Sequence, residues 1–295
     1  MVGIIVHGGC HDLVPSQQER ELTQNGISKY GQMGFEMLLA GIPSIDVVAK
    51  IISMMEDDPL FDAGTGSFKN LNGDVEMDAI IMNSEGDCGA VHCIQNVRNP
   101  IQVARAVMEK TPHSILSGLG AVQFARAMGF EEYDPSSQPS KYNFEATNGR
   151  LRTMHDVTYY KEEVRKDDKF FSTVGVVALD INQELAAGTS TGGIRNKMPG
   201  RVGDSAIPGA GTYCNKAIGL SATGEGEKIL KMHLTLKAAS DYQSTQDLTS
   251  ALKESIEYAS EIDCICGVIA LTKEGELSFA HNGAFMPLYF NRQAL

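Results

Sequence analysis

The sequence predicts a single α+β domain assembled from two chain segments. Three observations predict it. Short apolar runs of β character come in groups, helical apolar spacing recurs between them, and a polar stretch divides the chain near its middle. Each half needs the other to cover its sheets, so both are read as one domain.

Val2–Val6 is an apolar run ended by Gly8-Gly9 and reads as a buried strand. Ser44 is placed to cap a helix over about 45–55, with Val47, Val48, Ile51 and Ile52 at helical spacing, and Asp57-Asp58-Pro59 stops it. The runs 75–82 and 89–95, joined by Asn83-Ser84-Glu85-Gly86-Asp87, read as a hairpin. Helices are expected over about 100–110 and 119–128. From about 131 to 169 the chain turns polar and charged and reads as a mobile linker. Strands are then expected over 173–179, up to Gly188, and near 217–222. Helices follow over about 227–240 and 248–260, and the strands 264–271 and 276–280 and a tail near 286–290 complete the chain.

The 295 residues carry a net charge of −12, which disfavours nucleic acid or an anionic membrane as a partner. No apolar run approaches the roughly 18–20 residues of a membrane span. The N-terminal run lacks the basic flank of a signal peptide, and no Asn-x-Ser/Thr acceptor occurs. Cys10, Cys88, Cys93, Cys214, Cys264 and Cys266 are scattered. Cys264-x-Cys266 has no second Cys or His pair at zinc spacing, so buried thiols in a reducing compartment are expected. The expected location is cytoplasmic.

A long linker that runs straight into a buried strand is unusual in a compact domain. One explanation is that the join is meant to be cut. At Ser172-Thr173 the Thr hydroxyl can reach the preceding carbonyl carbon, as an N-to-O acyl shift requires. The cut would free an α-amine whose pKa is about 7.7–8.0, able to take the proton of its own hydroxyl. Position alone favours the plainer reading, that Thr173 is a β-branched residue opening a strand.

The surrounding motifs decide between these. Thr173-Val174-Gly175 is followed by Thr189-Ser190-Thr191-Gly192-Gly193, by Gly200-Arg201-Val202-Gly203-Asp204-Ser205 and by Thr223-Gly224-Glu225-Gly226-Glu227. Upstream stand His7-Gly8-Gly9, Phe61-Asp62-Ala63-Gly64-Thr65-Gly66-Ser67 and Met77-Asp78-Ala79. In this order the motifs resemble the plant-type asparaginases and isoaspartyl peptidases of the N-terminal-nucleophile hydrolase superfamily, over nearly the whole chain apart from the linker.

The resemblance implies a four-layer αββα sandwich, with Thr173 at the end of a central strand. It implies Ser172–Thr173 as the cleavage site, Thr173 as nucleophile and Thr191 as the hydroxyl that helps activate it. Thr223 and the Gly224 N–H would form an oxyanion hole. Arg201 would hold a substrate carboxylate and Asp204 its ammonium, with Gly226 allowing close backbone approach. A substrate with those groups and a side-chain amide is asparagine or a β-aspartyl peptide. A structural sodium ion on backbone carbonyls of the loop around Met55, Glu56, Asp58 and Phe61 is also implied, as is a homodimer of processed units.

The chain departs from the family at three places. Asp62 stands where Asn is usual, close to the reacting groups, and a carboxylate there would raise the pKa of the Thr173 amine and slow processing or turnover. Cys10-His11 replaces a small, glycine-rich turn, and Ser172 replaces the usual Gly or Asp. Two alternatives stay open at this stage: a poorly processed, non-catalytic relative acting as a binding protein, and a glycosylasparaginase-like hydrolase. A nucleotide site is disfavoured, because Gly118-x-Gly120-x-x-Gln123 lacks the third glycine.

Overall fold

The computed structural model describes residues 1–137 and 172–294. Eleven strands among them form two sheets: β1 (Val2–His7), β2 (Met77–Asn83), β3 (Cys88–Ile94), β4 (Ile115–Ser117), β5 (Val174–Leu179), β6 (Leu185–Thr191), β7 (Thr212–Cys214), β8 (Ile218–Gly224), β9 (Cys266–Thr272), β10 (Leu277–His281) and β11 (Leu288–Gln293). One sheet runs β11-β1-β5-β6-β2-β3-β4 and the other β10-β9-β8-β7.

Helices α1 (Gln17–Leu39), α2 (Ser44–Glu56), α3 (Pro100–Lys110) and α4 (Gly118–Ala127) flank the larger sheet; α5 (Gly226–Met232), α6 (Leu234–Thr245) and α7 (Leu248–Glu261) belong to the smaller sheet's side. Three apolar clusters fill the spaces: one under the first helix layer, one under α6 and α7, and one between the sheets around Ile5, Ile80, Val177 and Leu271. The architecture is the expected αββα sandwich. Because β1, β5 and β9 are buried on both faces, they read as largely apolar runs rather than alternating ones, whereas β8 alternates Ile218, Leu220 and Ala222 with Gly219, Ser221 and Thr223.

The local differences have local causes. Helix α1 was not expected, because its apolar positions are diluted by polar residues and by Gly26, Gly31 and Gly34. Those glycines are close-packing positions: a Cβ at Gly31 would lie 2.1 Å from the Tyr289 ring, and one at Gly34 2.6 Å from Ile4. The signal that would have found the helix is the capping box formed by Ser16 and Glu19. Helix α2 is capped differently from expectation: the Ser44 N–H donates to Asp180 at 2.9 Å, so a turn between β5 and β6 supplies the cap. The single helix expected over 227–240 is two, broken at His233, which adopts a left-handed backbone with φ 49°.

Most of the linker expected over about 131–169 lies outside the described residues. Its first part holds a 3₁₀ turn, Pro135–Ser137, and Tyr133, whose hydroxyl bonds Thr65 at 2.9 Å. Among the described residues no helix is long and apolar enough to cross a membrane.

Candidate active site

Antiparallel pairing of β5 with β6 sets Val174 opposite Ser190. That register brings the residues just before and just after this pair, Thr173 and Thr191, side by side. The Thr173 hydroxyl donates to Thr191 Oγ1 at 3.1 Å, and Thr191 Oγ1 also accepts the Gly193 N–H at 2.9 Å. Both threonines are buried, as is Ser172. Gly192 follows at once: its N–H donates to the Asp62 carbonyl at 2.9 Å, and a Cβ there would lie 2.2 Å from Asp62 Oδ1. Glycine is required here by space.

The loop after β6 carries the charges. Arg201 makes a two-pronged ion pair with Glu227, Nε to Oε1 at 3.1 Å and Nη2 to Oε2 at 2.9 Å. Three glycines close on its guanidinium; a Cβ would lie 2.7 Å from Nη1 at Gly203 and 2.6 Å from Nη2 at Gly226. Gly226 also borders Asp204, with a Cβ 2.8 Å from Oδ1, so it packs between the two charged residues. Asp204 is buried and its Oδ2 has no hydrogen-bond partner among the described residues. Burial pushes its carboxyl up to about 7, against the opposing pull of Arg201. A buried acceptor beside a fixed guanidinium suits a zwitterion whose ammonium meets Asp204 and whose carboxylate meets Arg201.

Thr223 ends β8 with Gly224, whose φ of +141° few side chains tolerate. Thr223 Oγ1 accepts the Cys10 N–H at 3.3 Å, which leaves its own proton to donate.

Comparison with known proteins follows this geometry. The family model described as asparaginase matches residues 1–294. This chain belongs to the asparaginase family. It is 40% identical to the plant-type L-asparaginase of Pyrococcus furiosus, over 100% of this chain and 98% of that protein. It is 39% identical to the isoaspartyl peptidase/L-asparaginase of Bos taurus and to that of Homo sapiens, each over 96% of this chain and 91% of the relative.

The fold thus sets Thr173 beside Thr191 and gathers Arg201, Asp204 and Gly226, and it adds two residues that sequence reasoning gave no role. Glu227 holds Arg201 from one side. Lys197 is fully buried and donates to the carbonyls of Gly192 and Glu76. Burial pulls its pKa down, while Asp78 and Asp62 hold it up. The signal was available: Lys197 stands between the Thr191-Gly192-Gly193 and Arg201 motifs, four residues before Arg201. Asp62, the departure from the family's Asn, therefore stands in the field of an ammonium, and its Oδ1 accepts the Phe68 N–H at 2.8 Å.

The Cys10 thiol is fully buried and pushed up to about 12 by desolvation, and the His11 ring stacks on Phe285 with centroids 6.1 Å apart. Cys264 and Cys266 are buried too, and among the described residues no group of His, Cys, Asp and Glu could hold a metal ion.

The loop expected to hold sodium curls its carbonyls inward. Glu56 O would lie 2.3 Å from a Cβ at Gly64, and Phe61 O and Pro59 O would lie 2.0 and 3.0 Å from one at Gly66. Met55 O accepts the Asp58 N–H and Asp58 O the Phe61 N–H, both at 3.2 Å. The loop offers backbone carbonyl oxygens, the donor type that suits a monovalent ion, and those of Met55 and Asp58 already accept an N–H.

Proposed function

We propose that this chain is a threonine amidohydrolase that cuts its own Ser172–Thr173 bond and then hydrolyses L-asparagine and β-aspartyl dipeptides, releasing L-aspartate. The observation that carries this reading is the 3.1 Å hydrogen bond from Thr173 to Thr191 at a buried Ser-Thr junction. The names of the relatives, plant-type L-asparaginase and isoaspartyl peptidase/L-asparaginase, support the substrate class.

In the first step Thr173 Oγ attacks the Ser172 carbonyl carbon, the peptide C–N bond breaks, and water hydrolyses the resulting ester. Residues 1–172 and 173–295 then form the two segments of one domain. The freed amine takes the proton of the Thr173 hydroxyl, whose oxygen is held by Thr191 and attacks the substrate's side-chain amide. Thr223 O–H and Gly224 N–H receive the oxyanion. The protonated amine hands its proton to the departing ammonia or peptide amine, and water releases aspartate from the acyl-enzyme. Arg201 and Asp204 hold the α-carboxylate and α-ammonium throughout, so the amide meets Thr173 rather than the backbone end of the substrate.

Two further parts belong to this reading. The carbonyls of Glu56 and Phe61 would hold a sodium ion that stiffens the loop leading to Asp62. Processed units would pair as homodimers, as the family resemblance implies.

The test is the denaturing intact mass of fresh and incubated protein beside a Thr173→Ala control. Two fragments, the second beginning at Thr173, with the control whole, support the reading. A native chain that stays whole and releases no aspartate from asparagine would sink it.

A further inference from the structure

We propose that His7, Ser221, Thr189 and Thr212 form a one-way chain of hydrogen bonds that ties the nucleophile's strand to the loop carrying Asp204. The inference rests on the amidohydrolase reading for its kinetic consequences, while its structural core can be tested without activity.

The chain crosses the space between the sheets, which is otherwise apolar. His7 Nε2 lies 2.9 Å from Ser221 Oγ, Ser221 Oγ 2.7 Å from Thr189 Oγ1, Thr189 bonds Thr212, and Thr212 donates to the Ser205 carbonyl at 2.9 Å. All four side chains are completely buried. One end is His7, paired with Gly175 on β5 and packed against the Thr173 backbone. The other end is the carbonyl next to Asp204. Gly175 shows that the crossing is built in, because a Cβ there would lie 2.1 Å from Ser221 Oγ and 2.2 Å from His7 Nε2. The φ of Gly175 is not positive, so the glycine clears space rather than permitting a turn.

Counting protons fixes the direction. The chain has four contacts and three hydroxyl protons, and each hydroxyl donates once. The Ser205 carbonyl only accepts, so Thr212 must donate to it. Thr189 then donates to Thr212 and Ser221 to Thr189, and the fourth proton comes from the imidazole. His7 is therefore the Nε2–H tautomer, donating to Ser221. Burial pushes its pKa down to about 3, so the ring is neutral at working pH. Nδ1 then carries no proton, in keeping with its having no hydrogen-bond partner among the described residues, although the Thr173 backbone by itself favours a proton on the ring. A buried acceptor left unpaired costs less than a buried donor would.

A chain satisfied in only one direction resists change at either end. His7 and Ser221 stand beside β5 and position Thr173, whereas Thr212 positions residues 204–205. These are positioning residues, and severing each end has its own kinetic signature. Ser221→Ala is expected to slow self-cleavage and lower kcat by about ten-fold with KM within about two-fold, since misplacing a nucleophile slows the step it makes. Thr212→Val is expected to raise KM for asparagine about ten-fold with kcat within about two-fold, and Thr212→Ser to restore it.

The experiment combines these kinetics with nitrogen-15 NMR of the histidines of the full chain between pH 5 and 8. The His7 signal is assigned by its loss in His7→Gln. A neutral Nε2–H ring across that range, with the kcat and KM effects separated, supports the chain. An Nδ1–H tautomer or a ring protonated at pH 5 overturns it, whether or not the protein is active. A correct tautomer with both variants changing kcat and KM alike, or neither, overturns the division of labour. A wild-type chain that shows the Nε2–H ring yet never cuts itself sinks the amidohydrolase reading, and with it the kinetic half alone.

Discussion

Thr173 and Thr191 reach each other because adjacent antiparallel strands place them there, whereas Arg201, Asp204 and Glu227 are brought together by a loop and the start of a helix. The first pair is neutral and needs only ladder register to hold a hydrogen bond. The second group is charged, with Asp204 buried, Arg201 largely so and Glu227 half-exposed: Glu227 grips Arg201, and glycines let the groups close in. Strand register can set a distance, but burying a charge requires partners. The Thr173–Thr191 pair should therefore tolerate changes of charge nearby and fail on loss of one hydroxyl, while the loop around Arg201 and Asp204 should answer to charge and pH.

The largest effect should come from breaking the charged half. Asp204→Asn keeps the shape and removes the counter-charge for an ammonium, so KM for asparagine is expected to rise about a hundred-fold, the scale of a lost charge-assisted hydrogen bond. Steady-state kinetics check this; an unchanged KM would mean that the ammonium binds elsewhere.

The pH dependence is next. With its carboxyl raised to about 7, Asp204 in the empty site is protonated below that pH and ionised above it. Only the ionised form attracts an ammonium, so KM should be about ten-fold higher at pH 6 than at pH 8, and flat in Asp204→Asn. The groups facing it are Arg201, which favours ionisation, and Glu227 and Asp78, which oppose it.

Glu56 sharpens the comparison on the neutral side. It lies beneath β6, accepts from the Ser190 hydroxyl at 2.7 Å and the Ile101 N–H at 3.0 Å, and burial raises it from 4.5 to about 8. A raised folded pKa gives stability that is full below 4.5 and lost as pH rises to about 8. Glu56→Gln should remove that loss, so its Tm relative to wild type should be higher at pH 8 than at pH 5 by about 3 °C or more. Thermal scans at the two pH values decide it.

The smallest effect is expected at Asp62. After the proposed cut its carboxylate would favour the protonated Thr173 amine, while Lys197 opposes that field. Asp62→Asn should speed turnover only about two- to three-fold at pH 7, whereas Lys197→Met in the Asp62 background should slow it more. Equal cleavage rates and pH profiles in wild type and Asp62→Asn would end the idea.

Much of this was legible before any coordinates. The strand after Thr173 announces itself as a short apolar run rich in valine, and the motif order points to Thr173 and Thr191, which the strand register sets side by side. Lys197 was not singled out, because a charged residue in a loop looks solvated until burial shows otherwise, and Glu227 was not, because its pairing with Arg201 joins two separate motifs. Helix α1 was hidden because close-packing glycines look like helix breakers.

The sequence by itself determined which residue types were available for chemistry, the family to which the chain belongs and the layered α+β architecture, since periodicity and ordered motifs are properties of the chain. Only the tertiary structure decided what those residues touch. That Asp180 caps helix α2, that Lys197 lies in the field of Asp62, and that four polar side chains link two sheets follow from how the strands, loops and sheets pack. Those join residues as far apart as His7 and Ser221, and no local pattern encodes such contacts.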